Sequence, residues 1–150
     1  MTREVIDRFS GEYECFSNFF VEKDGKTVEH RFQSKKPTDP AIAAKIMAAP
    51  TARKARDMGR SRTLFKIRPD WEQVKDSIME GLVREKFLND RVILAELLST
   101  GDAELIEGNW WHDQYWGMVR GTDGKWKGKN QLGKILMKLR EQFRVQARLA

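Results

Sequence analysis

Glu29, Gln33 and Lys36 stand at i, i+4 and i+7, so on a helix a carboxylate, an amide and an amine share one face, with Phe32 beside them. Such a set suits cleavage at a sugar anomeric carbon. A carboxylate holds a ribose hydroxyl or activates water, while an amine neutralises phosphate or condenses with the sugar as a Schiff base. The same spacing equally makes an ordinary solvated Glu–Lys face. Glu29 falls in the first turn, where the helix dipole favours the ionised carboxylate; this predicts a base or hydroxyl acceptor, with the acid supplied from elsewhere. Lys36 precedes Pro37, and proline pushes its predecessor out of helical geometry, so spacing alone leaves the reach of this amine open. His30 points about 100° away from Glu29 around a helix and is assigned to packing.

A second group runs from Trp110 to Gly117, where Trp110, Trp111, Tyr115 and Trp116 surround Asp113 in a segment with loop composition. Aromatics in loops form platforms for flat bases, and Asp113 can hydrogen-bond a ribose or the scissile nitrogen; alternatively the tryptophans plug the core. Asp123-Gly124 and Gly128-Lys129-Asn130, just before a helix, offer backbone N–H groups and lysines as a phosphate cradle. Neither glycine fingerprint for nucleotides is present in order or spacing. Lys134, Lys138, Arg140, Arg144 and Arg148 line one basic helix face, suited to a nucleic-acid backbone or simply to water.

The elements that must position these groups follow from periodicity and breakers. Val5–Phe9 and Phe16–Glu22 read as extended pieces, with Asp24-Gly25 as a turn, which predicts an N-terminal hairpin. Thr27 caps a short helix that Pro37 ends; Ala41–Ala49 is a second helix closed by Pro50; Thr51–Met58, ending at Gly59, is a third, carrying Arg53, Lys54 and Arg56 with Arg60 beyond. Val74, Ile78, Leu82 and Val83, then Ile93, Leu94, Leu97 and Leu98, mark two core helices. Ala103–Glu107 is a candidate strand, 109–126 a loop, and Leu132, Ile135, Leu136, Leu139 and Phe143 the stripe of a final helix.

Composition bounds the classes that remain. A chain of 150 residues with 40% hydrophobic content buries one core, which predicts a single domain over 1–150. Cys15 is the sole cysteine and His30 and His112 lie far apart, so no internal disulfide is possible and no metal site is expected. The charged segment Met1–Ser10 lacks a signal core and no apolar run reaches membrane length, which predicts a cytoplasmic protein with no membrane partner. A net charge of +6 and a pI near 9.5 favour polyanions: nucleic acid, pyrophosphate or phosphorylated sugars.

Several segments, taken in order, resemble the NADAR (YbiA-like) family. They are Phe16-Ser17-Asn18-Phe19, Val28-Glu29-His30-Arg31-Phe32-Gln33 with Lys36, Asp70-Trp71, Ile78-Met79 and Lys86-Phe87. Further along come Thr100-Gly101-Asp102, Leu105-Ile106-Glu107, Asp113 with Trp116-Gly117, Asn130, Leu132-Gly133, Leu136-Met137 and Arg140. The resemblance spans roughly Ile6 to Phe143 and implies an α+β fold, mostly helical, with a small N-terminal β-hairpin or sheet. It implies an N-glycosidase without cofactor, acting on ADP-ribosylated guanine, as nucleotide, DNA or RNA, or on ribosylamine intermediates of riboflavin synthesis. Carried onto this chain, it makes Glu29 and Lys36 the catalytic candidates with Asp113 in support, and Asn18, Phe19, Gln33, Trp71, Glu107, Trp116 and Asn130 the pocket.

Two other classes compete. A non-catalytic module would bind NAD-derived nucleotides without releasing base or ribose. A basic nucleic-acid-binding protein would lose affinity steeply with salt and be indifferent to pocket substitutions.

Overall fold

The computed structural model describes residues 4–149; Met1–Arg3, where the N-terminal segment judged to lack a signal core begins, and Ala150 lie outside the described residues. The chain divides into two units, one continuous from Asn18 to Lys86, the other formed by the chain up to Ser17 and from Phe87 onward. The α+β class holds, and helices dominate. Among the described residues no helix is long and apolar enough to cross a membrane.

The continuous unit contains α1 (Val28–Gln33), α2 (Pro40–Met47), α3 (Ala52–Gly59) and most of α4 (Trp71–Leu88). Each of the three short helices starts at an oxygen-bearing cap: Thr27 accepts from the His30 N–H, Asp39 from Ala41 and Thr51 from Lys54. Caps of this kind are worth about 1 kcal/mol each, a large share for helices this short. The alanines of α2 and α3 let the helices approach closely, so that Ile46, Ala49 and Ala55 form a buried cluster with Ile42, Met58 and Phe65 packed against it. Along α4 the buried side chains are Trp71, Met79, Val83, Lys86 and Phe87. Of the apolar stripe expected there, only Val83 is fully buried, while Val74, Ile78 and Leu82 are half-exposed.

In the other unit, β1 (Val5–Ile6) pairs in parallel with β2 (Glu104–Leu105). The N-terminal β structure is therefore a sheet closed by a distant segment and not a hairpin. Gly11–Phe16 is a 3-10 turn that buries Cys15 and Phe16, and the Phe16 ring meets Phe9 edge-on at 5.8 Å. No strand forms at 17–22; the Asp24-Gly25 turn is real, with Gly25 at φ +82, but it closes on itself through Glu22 and Lys26.

After α5 (Arg91–Ser99), the stretch expected as a loop carries a small sheet. Its order is β3 (Gly108–Asn109), β4 (Met118–Arg120) and β5 (Trp126–Lys127), with β3–β4 parallel and β4–β5 antiparallel. The last helix, α6 (Gln131–Leu149), buries Leu132, Ile135, Leu136, Leu139 and Phe143, the stripe expected from the sequence. Arg140 departs from its expected place on the basic face: it is buried and donates to Thr100 Oγ1 and the Ala103 carbonyl.

Candidate active site

The site residues of the continuous unit are fixed by α1, and α1 is fixed by His30. His30 Nε2 lies 2.9 Å from the Ala49 carbonyl, which can only accept, so this nitrogen carries the proton. Nδ1 lies 2.9 Å from Thr27 Oγ1 and bonds with it. His30 is a structural tie, as its position beside Glu29 implied.

On the next residue the Glu29 N–H donates to the Asn18 carbonyl at 3.1 Å, which brings Asn18 and Phe19 to the start of α1. The expected i, i+4 pair forms: Gln33 Nε2 donates to Glu29 Oε1 at 2.8 Å. Glu29 is 8% exposed, and burial pushes its carboxyl pKa up, opposed by the Gln33 hydrogen bond and by Arg60, Arg56 and Lys36. This runs against the expected field of the helix dipole, which favours the ionised carboxylate. Desolvation outweighs the first-turn field and favours the protonated form.

Lys36 does not sit on the helix. The helix ends at Gln33, and a turn with Lys36 N–H donating to the Gln33 carbonyl leads into an antiparallel bridge between Pro37 and Ile67. The Arg68 N–H closes this bridge on the Lys36 carbonyl at 2.9 Å. From there the amine donates to the Gly59 carbonyl at 3.3 Å and lies 5.6 Å from the Trp71 ring centre. Trp71 itself leans on Phe32, the ring centres 4.9 Å apart. Burial lowers the Lys36 pKa to about 8, with Glu29 pulling it up and Arg60 and Lys75 pushing it down.

Three polar atoms here are buried without a hydrogen-bond partner among the described residues: Asn18 Oδ1, Gln33 Oε1 and Arg56 Nε. Native proteins leave few such atoms unmatched, and each marks a place where a ligand or water belongs. Arg56 lies over the Phe19 ring at 5.2 Å. By sequence, Arg56 and Arg60 fall in a surface basic cluster; in the fold both act electrostatically on Glu29. The available signal was their i, i+4 spacing beside Gly59.

Asp113, Glu107, Trp116 and Asn130 belong to the other unit. Asp113 Oδ1 accepts from the Tyr115 and Trp116 N–H groups at 3.0 Å each, closing a turn. Trp116 meets Tyr115 edge-on at 4.9 Å. Asn130, at φ +54, donates to the Leu105 carbonyl and accepts from the Glu107 N–H, tying the start of α6 to β2. Trp110 and Trp111 are 81% and 45% exposed, which removes them as core plugs.

Most backbone donors of the phosphate cradle expected from the sequence are already engaged within the protein. The N–H groups of Lys129, Asn130, Gln131 and Leu132 are taken by the carbonyls of Gln114, Gly117, Tyr115 and Trp116, and those of Gly124 and Lys125 by Gly121 and Asp123. Donors already bonded within the protein have nothing left for an anion.

A family model described as the NADAR domain matches residues 7–144. The N-glycosidase YbiA of Escherichia coli is 38% identical over 143 residues, covering 91% of this chain and 86% of the relative. The N-glycosidase Npun_R5314 of Nostoc punctiforme is 40% identical over 141 residues, 88% of this chain and 86% of that one. A riboflavin biosynthesis protein of Vibrio vulnificus, VVA0006, is 37% identical over 119 residues, which are 79% of this chain and 31% of the larger protein. The NMR structure of E. coli YbiA superposes with a TM-score of 0.79 at 36% identity, covering 98% of this chain and 89% of that one.

Proposed function

From the premise that this chain belongs to the NADAR family, we propose that it is an N-glycosidase that cleaves ribose from a nitrogen of a base or amine. The observation that carries this reading is the buried Glu29, bonded to Gln33 and electrostatically coupled to Lys36, whose pKa of about 8 leaves part of the amine neutral near neutral pH.

In the mechanism we infer, the neutral Lys36 amine attacks C1 of the ribose and the C1–N bond breaks, its electron pair leaving with the nitrogen. Protonated Glu29 gives the leaving nitrogen its proton; the C1–O4 bond then opens, a proton passing from the attached Lys36 nitrogen to O4, and leaves a protonated imine between C1 and Lys36. Water then adds to the imine carbon, its proton passing to ionised Glu29, and the C1–Lys36 bond breaks to return the sugar aldehyde, the free amine and protonated Glu29. The substrate we favour is a phosphorylated N-riboside, either ADP-ribosylated guanine, as nucleotide or on nucleic acid, or a ribosylamine. Support for the second comes from relatives whose names place them in riboflavin biosynthesis.

The test is product analysis on ADP-ribosylated guanosine and on a ribosylamine phosphate. Wild type should release base or amine from one of them, and Glu29→Gln should lose at least about a hundredfold in rate, the scale of general acid–base catalysis. The variant should be no less stable at pH 7. A carboxyl with a folded pKa raised by burial contributes stability below its unfolded pKa and loses it as pH rises through the folded value, so the neutral amide removes a cost. Asp113→Asn in the same assay measures what that carboxylate adds beyond its turn. Binding of either substrate without cleavage would overturn the enzyme reading.

A further inference from the structure

Arg56 and Arg60 stand one helical turn apart at the end of α3. Neither has a carboxylate within ion-pair distance among the described residues, whereas Arg31 of α1 is held by Glu22 and Asp24. Residues 51–68 carry seven basic side chains and one acid, Asp57. The helix dipole at the end of α3 accounts for cations there, but not for where the Arg56 head lies. Its Nε is buried with no acceptor, its plane is braced by Phe19, and it faces the region of Glu29. A guanidinium so held is a rigid donor fork lacking its anion.

The neighbouring unmatched atoms sharpen the ligand. Gln33 Oε1 and Asn18 Oδ1 are acceptors that call for hydroxyl or N–H donors. Two acceptors, one fork and a second cation describe a polyol with an anionic group attached. We propose that Arg56, seconded by Arg60, holds the phosphate of the substrate while Gln33 and Asn18 take its hydroxyls, making α3 the element that selects phosphorylated over unphosphorylated ribosides. This rests on the reading of the site as an N-riboside site; it adds which residues hold the phosphate and that they act in binding.

The probes are ribose 5-phosphate and ribose, with calorimetry as readout. Wild type should bind the phosphate form at least about tenfold more tightly, the effect of one charge-assisted contact. Arg56→Met should erase that preference, Arg56→Lys should keep part of it, and Arg60→Met should reduce it. Lys138→Met, on α6, should leave it unchanged and so controls for net charge. Circular dichroism of each variant checks folding, and Arg56→Lys keeps the test informative if Arg56→Met does not fold.

Equal affinities in wild type, an undiminished preference in Arg56→Met, or an equal loss in Lys138→Met would each overturn the assignment. Phosphate selectivity that follows Arg56 in a protein that cleaves no N-riboside would sink the enzyme reading and leave the Arg56 site standing. Cleavage insensitive to Arg56 would do the reverse.

Discussion

At the scale of single residues, the chemistry depends on two groups pushed toward their neutral forms. Both shifts have burial as their first cause. For Lys36 the folded pKa of about 8 lies below its ordinary 10.5, so while protonated the residue costs stability, and that cost is relieved as pH rises from about 8 to the unfolded value. Reaction of Lys36 with an amine-directed reagent, followed by mass spectrometry, should therefore rise through pH about 8. In Glu29→Gln the midpoint should move lower where wild-type Glu29 is ionised and stay in place where it is protonated, so this variant reads the charge on Glu29 beside Lys36. A midpoint near 10.5 would contradict the buried setting of this amine. The Glu29–Gln33 pairing was legible from spacing, because i, i+4 neighbours meet on any helix. The upward push of burial on the Glu29 pKa was not, since the dipole is a property of the helix and desolvation is a property of everything packed around it.

At the scale of elements, α3 meets α1 at Gly59. A Cβ there would come within 2.1 Å of Gln33 Oε1 and 2.7 Å of Gln33 Cβ. Gly59→Ala should force Gln33 away from Glu29, costing about 1–3 kcal/mol of stability by overpacking and a larger share of activity. Gly81, on α4, supplies the contrast, because a Cβ there would meet nothing within 4 Å: Gly81→Ala should stabilise by about 0.5–1 kcal/mol and leave turnover alone. Urea denaturation and steady-state rates of the two variants separate these outcomes, and equal behaviour would show that the approach of α3 to α1 is not tight. The sequence marked Gly59 as a helix terminator, and α3 does end there. Its deeper reason, room for Gln33, involves a residue on another helix and leaves no trace in local pattern. The helices were readable from caps, prolines and periodicity, whereas the strands, two or three residues long, carry too little alternation to be seen.

For the whole molecule, the +6 charge is not spread as the sequence implied. On α6, Arg140 is buried in hydrogen bonds, and Arg144 bonds to Asp102, Glu141 and the Gly101 carbonyl, so that face is less a free basic stripe than its residue types suggest. Family resemblance located segments at both ends of the chain, but connectivity decided what pairs with what. Val5 and Ile6 find their partners at Glu104 and Leu105. During synthesis at roughly 5–20 residues per second, that strand must wait about 5–20 s for the ribosome to deliver its mate. Nascent chains stopped after Ser99 should accordingly be cut by protease near their N-termini, and chains extended past Phe143 should resist. The Asn18–Lys86 segment emerges whole in the interval, so the half of the protein bearing Glu29 and Lys36 can be assembled by the ribosome's schedule before the half that begins the chain.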